Sequence, residues 1–297
     1  MRLDGKQVTI QLPDGNGGLV EKTYEMKIPR REKDKVYIVG CAGNKESVPF
    51  GDPEAEYWGV NNLYGVPLPG AKWDRWFEIH NIWYEPSLGK LVRRDDKDFR
   101  GQPVDEYMKG LASIGCPVYM QQFWPELIPL STPYPIGEVL KFFAEPNERK
   151  QWTLDLQTCR YLTNSITYQI VLAIVEGFKR IEVWAVDMAV GTEYQAQRPS
   201  CEFWLGVAAG MGIEVYIPPE NDLLKTRFMY GLEEKKQDAF KKKVKKLRVD
   251  LSSKMGQAQK QLSEAQKAVD QYVGAIHSLG EIDKIWSNFD DKLVISS

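Results

Sequence analysis

The stretch Lys35–Asn62, KVYIVGCAGNKESVPFGDPEAEYWGVNN, decides the fold that we expect for this chain. It predicts a buried strand over Val36–Val39, then a glycine turn, and then a second strand over Tyr57–Val60. Continuous apolar runs bounded by turn residues are typical of strands that are covered on both faces of a parallel sheet. The stretch therefore indicates an α/β protein.

The rest of the chain continues this pattern. A helix with apolar residues at helical spacing leads directly into a strand that ends at Asp187, and a second helix and strand follow. We therefore predict an α/β fold, a Rossmann-like and mostly parallel sheet with an N-terminal β-hairpin and a C-terminal long helix or coiled coil. The predicted later elements are strands over 72–80 and 117–120, helices over 104–114, 136–144, 158–179 and 198–211, and strands over 181–186 and 213–217.

Three segments differ in character. Residues 1–34 alternate around the Asp14–Gly18 turn and predict an appended hairpin. Residues 35–228 form the predicted nucleotide-binding domain. Residues 229–297 contain a heptad stripe over 232–279 with one slip, between Leu251 and Met255. This stripe predicts self-association through one long helix, with a bend into a helical hairpin as the alternative.

Composition excludes several classes of function. The chain has 297 residues and a formal net charge of -2, which argues against a nucleic-acid or membrane-surface role. The lysine-rich segment 235–248 is interpreted as a solvated helix face rather than a nucleic-acid patch. No apolar run is long enough to span a membrane, and the amino terminus lacks a secretion signal.

The four cysteines are scattered without CxxC spacing, so we expect neither a disulfide framework nor a zinc site. No metal cofactor is predicted. A reducing cytoplasm is the simplest expected location, and it would be that of a bacterial host if the chain is encoded by a phage. The sequence also lacks the GxxxxGK[ST] phosphate loop, GxGxxG, HExxH and GxSxG.

Polar side chains follow the predicted strands at the points where they end. Because the carboxyl ends of parallel strands meet at one edge, where α/β proteins bind ligands, we expect these side chains to lie together. Amides donate and accept, which suits contacts to a base or a ribose, although cap and turn roles are the alternative for each residue. The set is Asn44, Asn61, Asn62, His80, Asn81, Gln121, Gln122 and Asp187.

Phosphate contacts are expected from backbone amides and from a helix N-terminus. The turn that contains Gly40, Gly43 and Asn44 is expected to provide the backbone amides. The helix N-terminus is expected at Thr163, Asn164 and Ser165, near the start of the helix predicted over 158–179.

The loop after Asp187 carries further candidates. Arg198 could neutralise a phosphate, with a surface ion pair as the alternative. Glu193 or Tyr194 could transfer a proton, and His80 is the other candidate base, with a structural role as its alternative. Asp187 is expected to line the acceptor side.

The segment TNSITYQIVLAIVEGFKRIEVWAVDM resembles the helix–strand unit of a Rossmann-like superfamily. That superfamily includes bacterial sialyltransferases that use CMP-activated sugars and archaeal hydroxymethylpterin diphosphokinase-like proteins. Gly40–Asn44 corresponds to the GNGPS-type turn of that superfamily, and Asn61 or Asn62 corresponds to its strand-ending asparagine. Residues 163–165 correspond to its Thr-Ser-Gly helix start, and residues 185–187 correspond to its Gly-Ile-Asp strand end. Residues 191–219 also resemble uncharacterised bacteriophage proteins.

The chain departs from that pattern in its first turn and its helix start, and the catalytic histidine of the sialyltransferases has no counterpart. The sequence therefore predicts a protein that binds a small-molecule nucleotide or nucleotide sugar, of unknown identity, and transfers a glycosyl or phosphoryl group from it. The alternatives are a non-catalytic phage protein that sequesters a nucleotide signal and an oligomeric scaffold.

Overall fold

The computed structural model describes residues 6–13, 19–26, 29–85, 87, 90–93, 103–145, 148, 160–188, 194–226 and 238–290. The chain divides into two compact units, residues 1–235 and 236–297. Glu193 and the first residues of the helix predicted from 158 lie outside the described residues.

The first unit contains the strands and four of the described helices. The strands are β1 (Lys6–Pro13), β2 (Leu19–Met26), β3 (Lys35–Val39), β4 (Ala55–Val60), β5 (Arg75–Glu78), β6 (Ile82–Glu85), β7 (Lys90–Arg93), β8 (Val118–Met120), β9 (Ser131–Pro133), β10 (Arg180–Trp184) and β11 (Glu214–Tyr216). The helices are α1 (Val104–Ala112), α2 (Ile136–Ala144), α3 (Ser165–Glu176) and α4 (Tyr194–Gly210), with 3-10 turns at Lys45–Ser47 and Asn61–Gly65.

Seven strands form one parallel sheet in the order β11-β10-β3-β4-β5-β8-β9. The expected α/β fold with a parallel sheet is confirmed. From β3 the chain builds the sheet outward in one direction to β9 and then returns to add β10 and β11 on the other side of β3. The strand order therefore reverses between β3 and β10.

Alternate residues of the central strands enter two separate cores. Val36 and Ile38 pack in a core that includes residues of α2, α3 and α4, whereas Tyr37 and Val39 pack in a core that includes residues of α1. Both faces of β3 are therefore covered, which explains why its sequence is continuously apolar rather than alternating.

Helix α3 lies against the centre of the sheet, and its ends follow from its sequence. The Asn164 side chain caps the first turn by accepting a hydrogen bond from the Thr167 amide at 3.0 Å. Gly177 ends the helix in the left-handed conformation, with a φ of 80°. Buried Gln169 donates from Nε2 to the Gly59 carbonyl at 2.9 Å and thereby anchors α3 to β4.

The expected N-terminal hairpin is confirmed as the antiparallel pair β1–β2. Lys22 forms a salt bridge with Glu126, and Tyr24 hydrogen-bonds the same carboxylate. The Tyr24 ring also meets Phe123 edge-on, with centroids 5.9 Å apart. The hairpin therefore covers the loop that precedes β9.

Two expectations about element bounds were wrong. The helix predicted from residue 158 begins at Ser165, because Asn164 takes the cap position. Helix α4 begins at Tyr194 rather than 198, so Pro199 lies in its second turn rather than its first. The short hairpin β6–β7 was not predicted.

The described residues of the second unit form one continuous helix, α5 (Asp238–Asp290), and the expectation of a long helix rather than a helical hairpin is confirmed. Among the described helices of both units, none combines the length and apolar composition that a membrane crossing requires.

Candidate functional site

The candidate site lies at the carboxyl ends of β3 and β10, where the strand order of the sheet reverses. In open α/β sheets the chain leaves the two strands at such a point toward opposite faces, which opens a crevice for a ligand. The turn over 40–44 leaves β3 here, and residues 185–188 leave β10 beside it. Two stretches that the sequence singled out therefore adjoin at this point.

The two stretches are held together through their backbones. Gly40 donates its amide to the Trp184 carbonyl at 2.9 Å, and Ala42 donates to the Ala185 carbonyl at 2.8 Å. A Cβ atom on Gly40 would lie 2.5 Å from the Ala185 oxygen and 2.7 Å from Cγ2 of Val186. Glycine is therefore required at position 40 because Ala185 and Val186, which follow β10, lie too close for any side chain.

We expect Gly40→Ala to lower the free energy of unfolding by about 1–3 kcal/mol, because the added methyl forces apart two packed backbone segments. Urea denaturation of the full chain measures the change. The matched control is Gly206→Ala in α4, where the added Cβ would have no atom within 4 Å. That control should be neutral or stabilising by up to about 1 kcal/mol, since alanine favours helices over glycine. Equal stabilities for the two variants would contradict the close approach.

A pair of asparagines joins the β3 turn to the residues after β11. Asn44 donates from Nδ2 to Oδ1 of Asn221 at 2.7 Å, and Asn221 donates from Nδ2 to the Val183 carbonyl at 2.8 Å. Oδ1 of Asn44 is buried and has no hydrogen-bond partner among the described residues. It is therefore an acceptor at the crevice that the described protein leaves unsatisfied.

Asn61 meets the start of α3. Its Oδ1 accepts a hydrogen bond from the Ser165 hydroxyl at 3.4 Å, and its backbone has a φ of 50°. A left-handed asparagine is uncommon and is found in turns and at functional positions. Asn62 follows it in the same 3-10 turn. The structure thus brings together the predicted Asn61 and the first residue of α3, whose N-terminal amides and dipole favour an anion.

Thr163 and Asn164 contact α4 instead. The Thr163 and Ser200 hydroxyls are hydrogen-bonded, and Asn164 donates to the Gln197 carbonyl at 3.3 Å in addition to capping α3. These two residues fix the helix start, and Ser165 is the member of the predicted trio that contacts Asn61.

Arg198 is held by protein groups. Its guanidinium donates to the carbonyls of Asp222 and Lys225 at 2.7 and 2.8 Å and to the Glu202 carboxylate at 2.8 Å. Asp222 also accepts a hydrogen bond from the Met188 amide at 2.9 Å. Arg198 thus ties the segment after β11 to α4. These contacts include an ion pair with Glu202, as in the alternative interpretation of Arg198 from the sequence.

Asp187 lies three residues beyond the end of β10 and is partly buried. Tyr194 is the first residue of α4, and its side chain lies outside the described residues. Gln121, at the end of β8, donates to the Ile79 carbonyl at 2.7 Å.

His80 lies at the same edge, after β5, and contacts a buried acid. Its Nδ1 is hydrogen-bonded to the carboxylate of Glu78, which also accepts from the Tyr107 hydroxyl of α1. The Glu78 side chain is fully buried, whereas that of His80 is 31% exposed. The pair joins a buried carboxylate to an imidazole that is partly exposed, an arrangement that is compatible with general-base chemistry.

The sequence did not single out Glu78, Tyr107 or Asn221. Glu78 ends a short strand, RWFE, in which two aromatic residues lie between two charged ones, and its contact with Tyr107 spans 29 positions. Asn221 follows Pro218–Pro219, a turn signal, but nothing local indicates that it contacts a residue 177 positions away.

The amino edge of the sheet has a different arrangement. Arg75, which is 1% exposed, forms salt bridges with Glu56 at 3.0 Å and Glu176 at 2.6 Å. Its guanidinium also lies 4.8 Å from the centre of a Trp58 ring. Burial raises the pKa of Glu176, while Arg75 acts to lower it. This cluster fastens α3 to β4 and β5 at the end of the sheet away from the crevice.

In the described part of the chain, no three His, Cys, Asp or Glu side chains are grouped as a metal site would need.

No protein-family model matches the chain, and no curated protein matches it. Among solved structures it is similar to an α-2,3-sialyltransferase from Campylobacter jejuni in its apo form, at 14% identity and a TM-score of 0.38, over 65% of this chain and 79% of that one. It is also similar to the sialyltransferase CstII from the same organism in complex with a substrate analogue, at 13% identity and a TM-score of 0.39, over 70% and 98%. At these values the likeness carries no argument, and the fold and site rest on the geometry of this chain.

Proposed function

We propose that residues 35–228 bind a nucleotide or nucleotide sugar at the carboxyl edge of the sheet and transfer a glycosyl or phosphoryl group from it. The observation that carries the proposal is the convergence of polar groups at the strand-order reversal between β3 and β10. Residues 1–34 are then an appended hairpin, and residues 229–297 a helical segment.

The phosphates are assigned to the start of α3. Ser165 and the first amides of the helix, beside Asn61, present hydrogen-bond donors and the positive end of the helix dipole. The amides of Gly43 and Asn44 make no backbone hydrogen bond within the described structure and supply further donors across the crevice.

The base and ribose are assigned to side-chain amides. Asn61 and Asn62 leave β4 at this edge, and Oδ1 of Asn44 is a buried acceptor without a partner among the described residues. A nucleotide amino group or ribose hydroxyl donated to that oxygen would remove the cost of leaving it unsatisfied.

The transfer step is assigned to His80, with Asp187 on the acceptor side. The imidazole would accept a proton from the acceptor hydroxyl as the acceptor oxygen bonds to the transferred group and the nucleotide leaves with its phosphate. Glu78 holds the ring and stabilises the imidazolium that forms.

Calorimetric titration of the full chain with a panel of nucleotides and nucleotide sugars tests the proposal. We expect at least one to bind, with an affinity that Ser165→Ala and Asn61→Gly each weaken about 5- to 30-fold, the effect of about 1–2 kcal/mol per lost hydrogen bond. Glycine retains the positive φ of position 61 and so isolates the loss of the side chain. If no member of the panel binds, the proposal fails.

Long incubation of the bound nucleotide with candidate acceptors separates transfer from sequestration. A cleaved nucleotide with a modified acceptor supports the transferase. A nucleotide recovered intact with every acceptor favours the non-catalytic binding protein.

A further inference from the structure

Helix α5 presents a long apolar stripe to solvent. The large apolar side chains along it that are exposed have exposed fractions between 39% and 72%. Those between Val244 and Leu279, apart from Val249 and Val273, follow a heptad pattern with one slip between Leu251 and Met255. A partner that covers the stripe would stabilise this helix, because most of the stability of helices in proteins comes from the packing of an amphipathic face.

The charges of α5 are divided between its halves. Residues 238–263 carry eight Lys or Arg against two Asp, whereas residues 264–290 carry five Asp or Glu against two Lys. A parallel pair of α5 helices would place the two basic halves side by side. An antiparallel pair would place each basic half beside an acidic half, which stabilises the pair at low salt.

We infer that α5 pairs with α5 of a second copy of this chain in an antiparallel coiled coil. The heptad positions of the two helices are aligned across the pair when Leu262 of one copy lies opposite Ala265 of the other. Two turns outward, Met255 then lies opposite Tyr272. One layer further, Leu251 lies opposite Ile276. Each central layer pairs a large side chain with a small one, or two large ones, and none is polar.

The mass of the full chain in solution tests the pairing. Sedimentation velocity should give a dimer with twice the 34.0 kDa mass of one chain. Raising the salt concentration should weaken the dimer, because salt screens the attraction between the basic and acidic halves. Leu262→Glu should give a monomer that retains the folded first unit. A wild-type monomer at micromolar concentration would overturn the inference.

Cysteine cross-linking tests the orientation in a background in which Cys41 and Cys159 are serine, since Cys116 and Cys201 are buried. In the antiparallel pair two copies of Val244→Cys lie roughly 60 Å apart, at 1.5 Å per residue, so a short bismaleimide should not join them. A mixture of Val244→Cys and Asp283→Cys chains should cross-link.

Ala265→Cys, at the centre, should cross-link with itself in either orientation and serves as the positive control. Efficient self-linking of Val244→Cys together with failure of the mixed pair would show a parallel dimer and overturn the inference. Circular dichroism checks that each variant keeps its helix content.

Discussion

Arg75→Met is expected to lower the free energy of unfolding of the sheet unit by about 3–5 kcal/mol, the cost of removing one partner from a buried ion pair. Methionine retains the apolar stem but leaves Glu56 and Glu176 buried without their cation. Urea denaturation of the full chain followed by tryptophan fluorescence measures the loss.

The loss at Arg75 should depend on pH. Burial already raises the pKa of Glu176, and Arg75 opposes that effect, so its removal raises that pKa further. The pKa of a glutamate in the unfolded state is about 4.3. When its pKa in the folded state is higher than that, the free energy of unfolding falls as the pH rises above about 4.3. The defect should therefore be smallest at acid pH and grow toward neutral pH.

Lys179→Ala is the control, because the Lys179–Asp34 pair is exposed on both sides and such pairs contribute about 1 kcal/mol or less. Equal, small losses for Arg75→Met and Lys179→Ala would show that the Arg75 cluster does not fasten α3 to the sheet.

His80→Gln is expected to lower the rate of group transfer about 10²- to 10⁴-fold while nucleotide affinity changes little, because the imidazole serves the proton transfer rather than binding. Glutamine keeps a donor for Glu78 but cannot accept a proton. Steady-state kinetics with the nucleotide and acceptor identified by the panel separate the two effects.

The chain offers a matched control, since its other histidine, His277, lies on α5. His277→Gln should leave the rate unchanged. Glu78→Gln should lower the rate less than His80→Gln, because Glu78 acts through the ring. If His80→Gln left the rate unchanged, His80 would not be the general base, and its role would be structural.

The sheet could be predicted from the sequence because the central strands are covered on both faces. The run at Val36–Val39 is therefore continuously apolar, and the run at 181–186 is apolar except for Glu182, a signal that is local. Strand β9 carries no such signal, since it pairs over only three residues of β8 and ends in proline. Its place is set by the sheet edge rather than by its own sequence.

The candidate site could be predicted in part for the same reason. Gly40–Asn44 and Asn61 follow predicted strands, so the edge they share follows from the fold. The partners that give these residues their geometry are distant in sequence, as Asn221 is from Asn44 and Tyr107 from Glu78. Contacts of this kind depend on chain crossovers, and no local pattern reveals them.

Hydrogen–deuterium exchange of the full chain, with and without the tightest-binding nucleotide of the panel, tests the position of the site most directly. We predict slower exchange at 40–44, 61–62 and 163–167, and no change around Arg75 at the opposite edge of the sheet. Protection confined to the amino edge, or to α5, would contradict a nucleotide site at the strand-order reversal.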